Sequence, residues 1–261
     1  MDQRIPESIR PLLQDYLRLL SDQVPDLVAA CYLYGSIALD AFNERLSDID
    51  FLTVLHRRPT SQEVRHLQEI HKRLTTTYPD WPLDGSYLQW DDLGRLPDTV
   101  APYPNVAQGV FHPHGERDLN LVTWWILKHH GVAILGPSPQ TLAFTVDWDD
   151  LAVRMHDNLN SYWYSWTRSP TRLVQLFTDY GVQWSVLGVL RLWYSFREQD
   201  ITSKTTAGRY ALTHLPSRWH RLIQEAINLR NAPDQRLYAC PIHRASQAMQ
   251  FLHYMLQLCN D

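Results

Sequence analysis

Apolar residues near the start of the chain recur at the spacing of a helix and then switch to the spacing of strands. From Pro6 to Leu20 they fall at Ile9, Leu12, Leu13, Tyr16, Leu17 and Leu20, three and four apart, which predicts an amphipathic helix. Leu27 to Tyr34 is a short apolar run ending at Gly35-Ser36, and Asp48 to Leu55 carries Ile49, Phe51, Thr53 and Val54. Both predict strands, with a polar turn over Asn43 to Ser47 between them. Thr60 followed by Glu63 makes a capping box for a helix in which Val64, Leu67, Ile70 and Leu74 share a face, ending before Pro79. Leu83 to Trp90 then reads as a third strand. Helices alternating with strands in this way predict a sheet domain.

Beyond residue 150 the strand pattern disappears. Asp150 to Trp166, Leu173 to Phe196, Ser203 to His214, Ser217 to Leu229 and His243 to Leu258 all carry helical periodicity, punctuated by Pro170, Thr202, Pro216 and the stretch from Pro233 to Pro241. The expected architecture is α+β, with a sheet domain over residues 1–150 and an all-α bundle over 151–261. A length of 261 residues accommodates two domains. An apolar share of 44%, with 11% aromatic, supplies enough surface to bury their cores and excludes a disordered chain.

Charge narrows the partners. The chain has 28 acids against 24 bases, a net charge of -4, and so lacks the cationic surplus that neutralises nucleic-acid phosphates. The longest uncharged stretch, His129 to Val146, is broken by Gly136, Pro137 and Pro139, so no membrane span is expected. The N-terminal MDQRIPESIR lacks the apolar core of a secretory signal. Cys31, Cys240 and Cys259 show no C-x-x-C spacing, against both a disulfide framework and a cysteine zinc site. A cytoplasmic monomer is the expectation. The net charge also conceals an asymmetry: residues 1–150 hold 21 acids and 12 bases, whereas 151–261 hold 7 acids and 12 bases.

The segment LYGSIALDAFNERLSDIDFLTVL, from Leu33 to Leu55, carries the chemistry. Asp48 and Asp50 lie two apart on a predicted strand, so their carboxylates project from one face with Cα atoms ~6 to 7 Å apart. Carboxylates so placed can share one or two divalent cations, and a small set of hard oxygen ligands suits Mg²⁺ that substrate phosphates also coordinate. Upstream, Gly35 closes a strand at a tight turn where backbone N–H groups can approach a phosphate and the Ser36 hydroxyl can donate to it. A phosphate cradle and a metal clamp therefore lie on neighbouring strands.

With this Gly-Ser and Asp-x-Asp pattern the sequence resembles the nucleotidyltransferase superfamily that includes DNA polymerase β. The second half adds VLRLWYSFREQDITSKTTAGRYALTHLP, from Val189 to Pro216, which looks like the helical C-terminal domain of the aminoglycoside nucleotidyltransferases that adenylylate streptomycin and spectinomycin. The matching residues are Arg191, Trp193 and Tyr194, then Lys204, Ala207, Tyr210 and Ala211. The resemblance implies that Asp48 and Asp50 hold Mg²⁺, and that a third acid on the next strand touches the metal and acts as general base. Asp84 occupies that place, where family members usually have Glu.

The same resemblance assigns Arg191 and Lys204 to the ATP phosphates across a cleft that the helical domain completes. Gly35, Ser36 and Ser47 fall to phosphate or nucleotide contacts, and Asp118 to a nucleotide-contacting acid. It offers Trp163 or Trp166, with Asp179, as equivalents of the Trp and Asp that contact streptomycin. The implied reaction is transfer of AMP from ATP to a hydroxyl of a small cationic acceptor, with two Mg²⁺ ions ~3.5 to 4 Å apart clamping the α-phosphate and pyrophosphate leaving. Two alternatives stay open: the same machinery with a protein side chain or another metabolite as acceptor, and a nucleotide-sensing module with little catalysis. His112-Pro113-His114-Gly115-Glu116 reads as a polar loop rather than a metal tract, and His129-His130 as a helix end where imidazolium favours the dipole.

Overall fold

The computed structural model describes residues 2–115 and 119–261, which divide into two compact units, Met1–Val146 and Asp147–Asp261. The first unit opens with a 3₁₀ turn, Glu7–Ile9, that runs into α1 (Arg10–Gln23). β1 (Val28–Leu33) follows, then a single helical turn, α2 (Gly35–Ala38), and β2 (Ile49–Leu55). α3 (Ser61–Thr77) starts at the expected capping box: the Thr60 side chain accepts from the Glu63 N–H, and Glu63 accepts in return from the Thr60 N–H. β3 (Leu83–Gln89), β4 (Tyr103–Ala107), β5 (Val110–Gly115), α4 (Leu121–His130) and β6 (Val132–Leu135) complete the unit.

The six strands lie in the order β5-β4-β3-β2-β1-β6. Only β2 and β3 run parallel, and α3 is the crossover that a parallel pair requires. α1 and α3 cover one face through Leu12, Leu13, Tyr16, Leu67 and Ile70, packed on Cys31, Leu33, Phe51 and Tyr87. On the other face Trp124 and Leu127 of α4 meet Tyr32, Leu52, Val54 and Leu88. The His112 to Gly115 segment is not the expected loop but the outer part of β5, with His112 paired to Asn105. It is mostly exposed, and an edge strand that buries little side-chain surface shows no apolar alternation in its sequence.

A chain of polar groups runs through the first core. The Tyr16 hydroxyl donates to that of Tyr87 at 2.8 Å and lies 2.7 Å from Thr53 Oγ1; Tyr87 Oη is 2.6 Å from His71 Nε2. Thr53 and Tyr87 are register partners on β2 and β3, so Tyr16 fastens the parallel pair from above. His71 stacks on Phe51 and Phe111, and burial pulls its pKa down to about 3. A folded-state value below the ordinary 6.5 means that the unfolded chain takes up the proton first as pH falls. Stability is therefore complete above about pH 6.5 and declines toward pH 3, by about 1.4 kcal/mol per pH unit. Denaturant melts at pH 7 and pH 5 should show this slope in the native chain, and His71→Phe should flatten it. A slope unchanged by the substitution would place the proton elsewhere.

The second unit is wholly helical: α5 (Trp148–Asn158), a π-helical turn (Leu159–Trp163), α6 (Pro170–Gln175), α7 (Asp179–Glu198), α8 (Lys204–His214), a 3₁₀ turn (Ser217–Trp219), α9 (His220–Asn231) and α10 (Pro241–Leu258). The helix expected over Leu173 to Phe196 is broken. Thr178 leaves the helical conformation and caps α7 by accepting from the Gly181 N–H, and a threonine that bonds its own backbone favours a cap over a helix interior. α7 is the central rod, its Val182, Val186, Leu187, Val189 and Leu190 all buried. No helix among the described residues is long and apolar enough to cross a membrane.

Candidate active site

The centre of the first unit is the start of the parallel pair. Asp50 is the register partner of Asp84, so the two carboxylates leave the same face of adjoining strands, ~4.8 Å apart at their Cα atoms. Asp48 precedes β2 by one residue and shares that parity. The end of β1 is tied to the same point, because the Tyr34 N–H donates to the Asp50 carbonyl at 3.1 Å. Immediately after it, Gly35 takes a φ of +57°. A Cβ built there would lie 1.8 Å from Asp50 Oδ2; only glycine leaves room for the carboxylate against the turn.

The Gly35-Ser36 turn shows an unfilled hydrogen-bonding capacity. Ser36 Oγ is buried and meets no protein partner, which an incoming phosphate oxygen would satisfy. Ser47 is engaged within the chain instead: its Oγ accepts from the Asn43 N–H at 3.0 Å, and its own N–H donates to the Asn43 carbonyl. That closes the polar turn feeding Asp48 into β2. Asp118, the expected nucleotide-contacting acid, lies outside the described residues.

Two contacts around this centre were not anticipated. Asp84 Oδ2 accepts at 3.2 Å from the backbone N–H of Gln108, in the tight turn between β4 and β5 where Gln108 and Gly109 both have positive φ. The Gln-Gly pair between two apolar runs was the available signal. Arg4 Nη1 donates to the carbonyls of Ala38 at the end of α2 and His130 at the end of α4. A cation there complements two helix C-termini and anchors the turn that carries Ser36. Nothing local in the sequence announces a contact spanning 34 and 126 residues.

The donor set suits a hard divalent cation, since carboxylate oxygens from Asp48 and Asp50 leave coordination positions for phosphate and water. Among the described residues no three His, Cys, Asp or Glu side chains gather closely enough to hold a metal unaided. Asp50 lies against Gly35 while Asp84 is drawn to Gln108, so phosphate oxygens would have to complete any metal shell.

In the second unit the structure brings Arg191 and Lys204 to one corner. Arg191 Nε donates at 3.0 Å to the carbonyl of Thr202, two residues before Lys204 opens α8 behind the Ser203 cap. Lys204 Nζ sits 3.9 Å from the centre of the Trp184 ring. Two cations thus stand beside the N-terminus of α8.

The three expected drug contacts lie in packed or paired positions. Trp163 is buried against α7, where a Cβ on Gly188 would come within 2.0 Å of its ring. Trp166 is fully buried, with the Arg172 guanidinium over its ring. Asp179 binds both Arg236 and Arg244, and Arg244 also pairs with the fully buried Glu225.

Comparison with known proteins follows the same division. Residues 13–81 match the nucleotidyltransferase domain, and residues 155–257 match the aminoglycoside adenylyltransferase C-terminal domain. The chain is 24% identical over 275 residues to an aminoglycoside (3'') (9) adenylyltransferase of Klebsiella pneumoniae, a match that covers 98% of this chain and 96% of that protein. Proteins of the same description from Shigella flexneri and Escherichia coli share that identity and coverage. Among solved structures, a spectinomycin adenyltransferase from Enterococcus faecialis, crystallised with ATP and spectinomycin, superposes with a TM-score of 0.66 at 13% identity. That superposition spans 95% of this chain and 98% of the other.

Proposed function

The chain belongs to the aminoglycoside nucleotidyltransferase family, within the DNA polymerase β-like superfamily, and we propose that it transfers AMP from ATP to a hydroxyl of an aminoglycoside or aminocyclitol. The observation that carries this reading is the level placement of Asp50 and Asp84 on the parallel pair, beside a Gly35-Ser36 turn whose buried hydroxyl awaits a partner. The relatives' descriptions, an aminoglycoside adenylyltransferase and a spectinomycin adenyltransferase, point the acceptor toward that class.

Each residue then has a role its chemistry allows. Ser36 and the turn amides hold phosphate oxygens. Asp48 and Asp50 would hold Mg²⁺, which when bound would supply charge neutralisation to the phosphates. Arg191 and Lys204 neutralise the triphosphate and the departing pyrophosphate. Asp84 accepts the proton of the acceptor hydroxyl as that oxygen bonds to the α-phosphorus and the bond to pyrophosphate breaks. The acidity of the first half would attract a polycationic acceptor.

Purified protein with ATP and MgCl₂ should release pyrophosphate only when streptomycin or spectinomycin is added, the product gaining the mass of AMP, and chelation of Mg²⁺ should stop turnover. A panel of such drugs giving no turnover, together with unchanged susceptibility of bacteria expressing the chain, would overturn the acceptor. AMP found on a co-purified protein would direct attention to that alternative.

A further inference from the structure

We infer that Trp184 is a positioning residue for Lys204, holding its ammonium ready for the nucleotide triphosphate; this rests on the assignment of Lys204 to those phosphates. The indole is itself fixed on two sides. Its Nε1 donates to the Tyr162 hydroxyl at 2.8 Å, and one helical turn earlier Tyr180 stacks on it at 5.6 Å and 22°. Over the ring thus held sits Lys204 Nζ, 3.9 Å from its centroid, well inside the range of a cation–π contact.

The position of the lysine makes this contact more than packing. Lys204 is the first residue of α8, where a cation opposes the helix dipole, so α8 gains nothing from a charge there. A flexible four-carbon stem otherwise loses rotamer freedom on meeting an anion. An aromatic face orders the stem beforehand. Trp184 stands 20 residues from Lys204, on α7.

The test is calorimetry of ATP with MgCl₂ in the absence of acceptor, alongside steady-state kinetics, on full-length Trp184→Leu, Trp184→Phe, Lys204→Ala and the Trp184→Leu/Lys204→Ala double variant. Trp184→Leu should raise the Kd and KM for ATP about 3- to 10-fold with kcat within about twofold, as expected for loss of a cation–π contact. Trp184→Phe, which keeps a ring face but not the indole N–H, should recover part of the loss and guards against a folding artefact. In the Lys204→Ala background the Trp184→Leu change should have no further effect. Additive losses, or native affinity in Trp184→Leu while Lys204→Ala binds weakly, would overturn the positioning role alone. Native affinity in Lys204→Ala would instead remove the phosphate assignment and the inference with it.

Discussion

Asp84→Asn should lower kcat for AMP transfer by about 10²- to 10⁴-fold, the span that a positioned general base contributes, while ATP affinity measured by calorimetry stays near native. The substitution is nearly isosteric. Its amide carbonyl can still accept from the Gln108 N–H that now binds Asp84 Oδ2, so the hairpin contact and the β2–β3 register survive. What is lost is the negative charge and the capacity to take a proton. Asp84→Glu supplies the complementary arm, a carboxylate carried one methylene further. It should retain far more activity than the amide, because a longer carboxylate can still take the proton. Near-native turnover in Asp84→Asn would refute the base role and return the search to the acids at Asp48 and Asp50.

The extent to which sequence revealed this arrangement follows the range of the interactions involved. Gly35-Ser36, the Asp48 and Asp50 pair and the Thr60 capping box are set by residues within a turn or a strand of one another, and their periodicity or capping chemistry is visible in the chain. β4 and β5 were not. Tyr103 to Ala107 is buried at every position, whereas Val110 to Gly115 is largely exposed; neither alternates, and their pairing rests on the two positive-φ residues of the Gln108-Gly109 turn. α4 has apolar residues around most of its circumference, because Trp124, Ile126 and Leu127 are all buried; its pattern lacks a clear face.

The site contacts divide in the same way. Asp84 is recognisable as a strand acid, but its bond to Gln108 joins residues 24 apart and depends on the sheet order. Arg4 and Trp184 act on Ala38 and Lys204 through folds of the chain that no local pattern encodes. In the second unit the helical spacing around Trp163 and Trp166 is more often that of a core, though a drug-stacking surface would share it. In the structure Trp163 fills the space left by Gly188, and Trp166 is fully buried.

Gly35→Ala should reduce AMP transfer by about 10²-fold or more and yet leave a folded protein. The left-handed φ of +57° costs a residue with a Cβ about 1 to 2 kcal/mol, a modest part of a domain's stability. The larger effect is displacement. The added methyl would fall 1.8 Å from Asp50 Oδ2 and 2.5 Å from its Cγ, which no van der Waals contact permits. Asp50 is a short side chain on a strand fixed by Asp84 on one side and by the Tyr34 amide on the other, so its backbone resists. The carboxylate must rotate away from the Ser36 turn, and a misplacement of about 1 Å at a reacting centre costs roughly 10²-fold in rate. Melting curves and pyrophosphate release on Gly35→Ala, Asp50→Ala and the double variant separate the two costs. If Asp50 is what the methyl strikes, the stability loss on adding Gly35→Ala should shrink toward the conformational 1 to 2 kcal/mol once Asp50 is truncated, and activity should fall no further. Full activity in Gly35→Ala would mean that Asp50 works equally well from another position, and the close approach of carboxylate and glycine would then have no catalytic purpose.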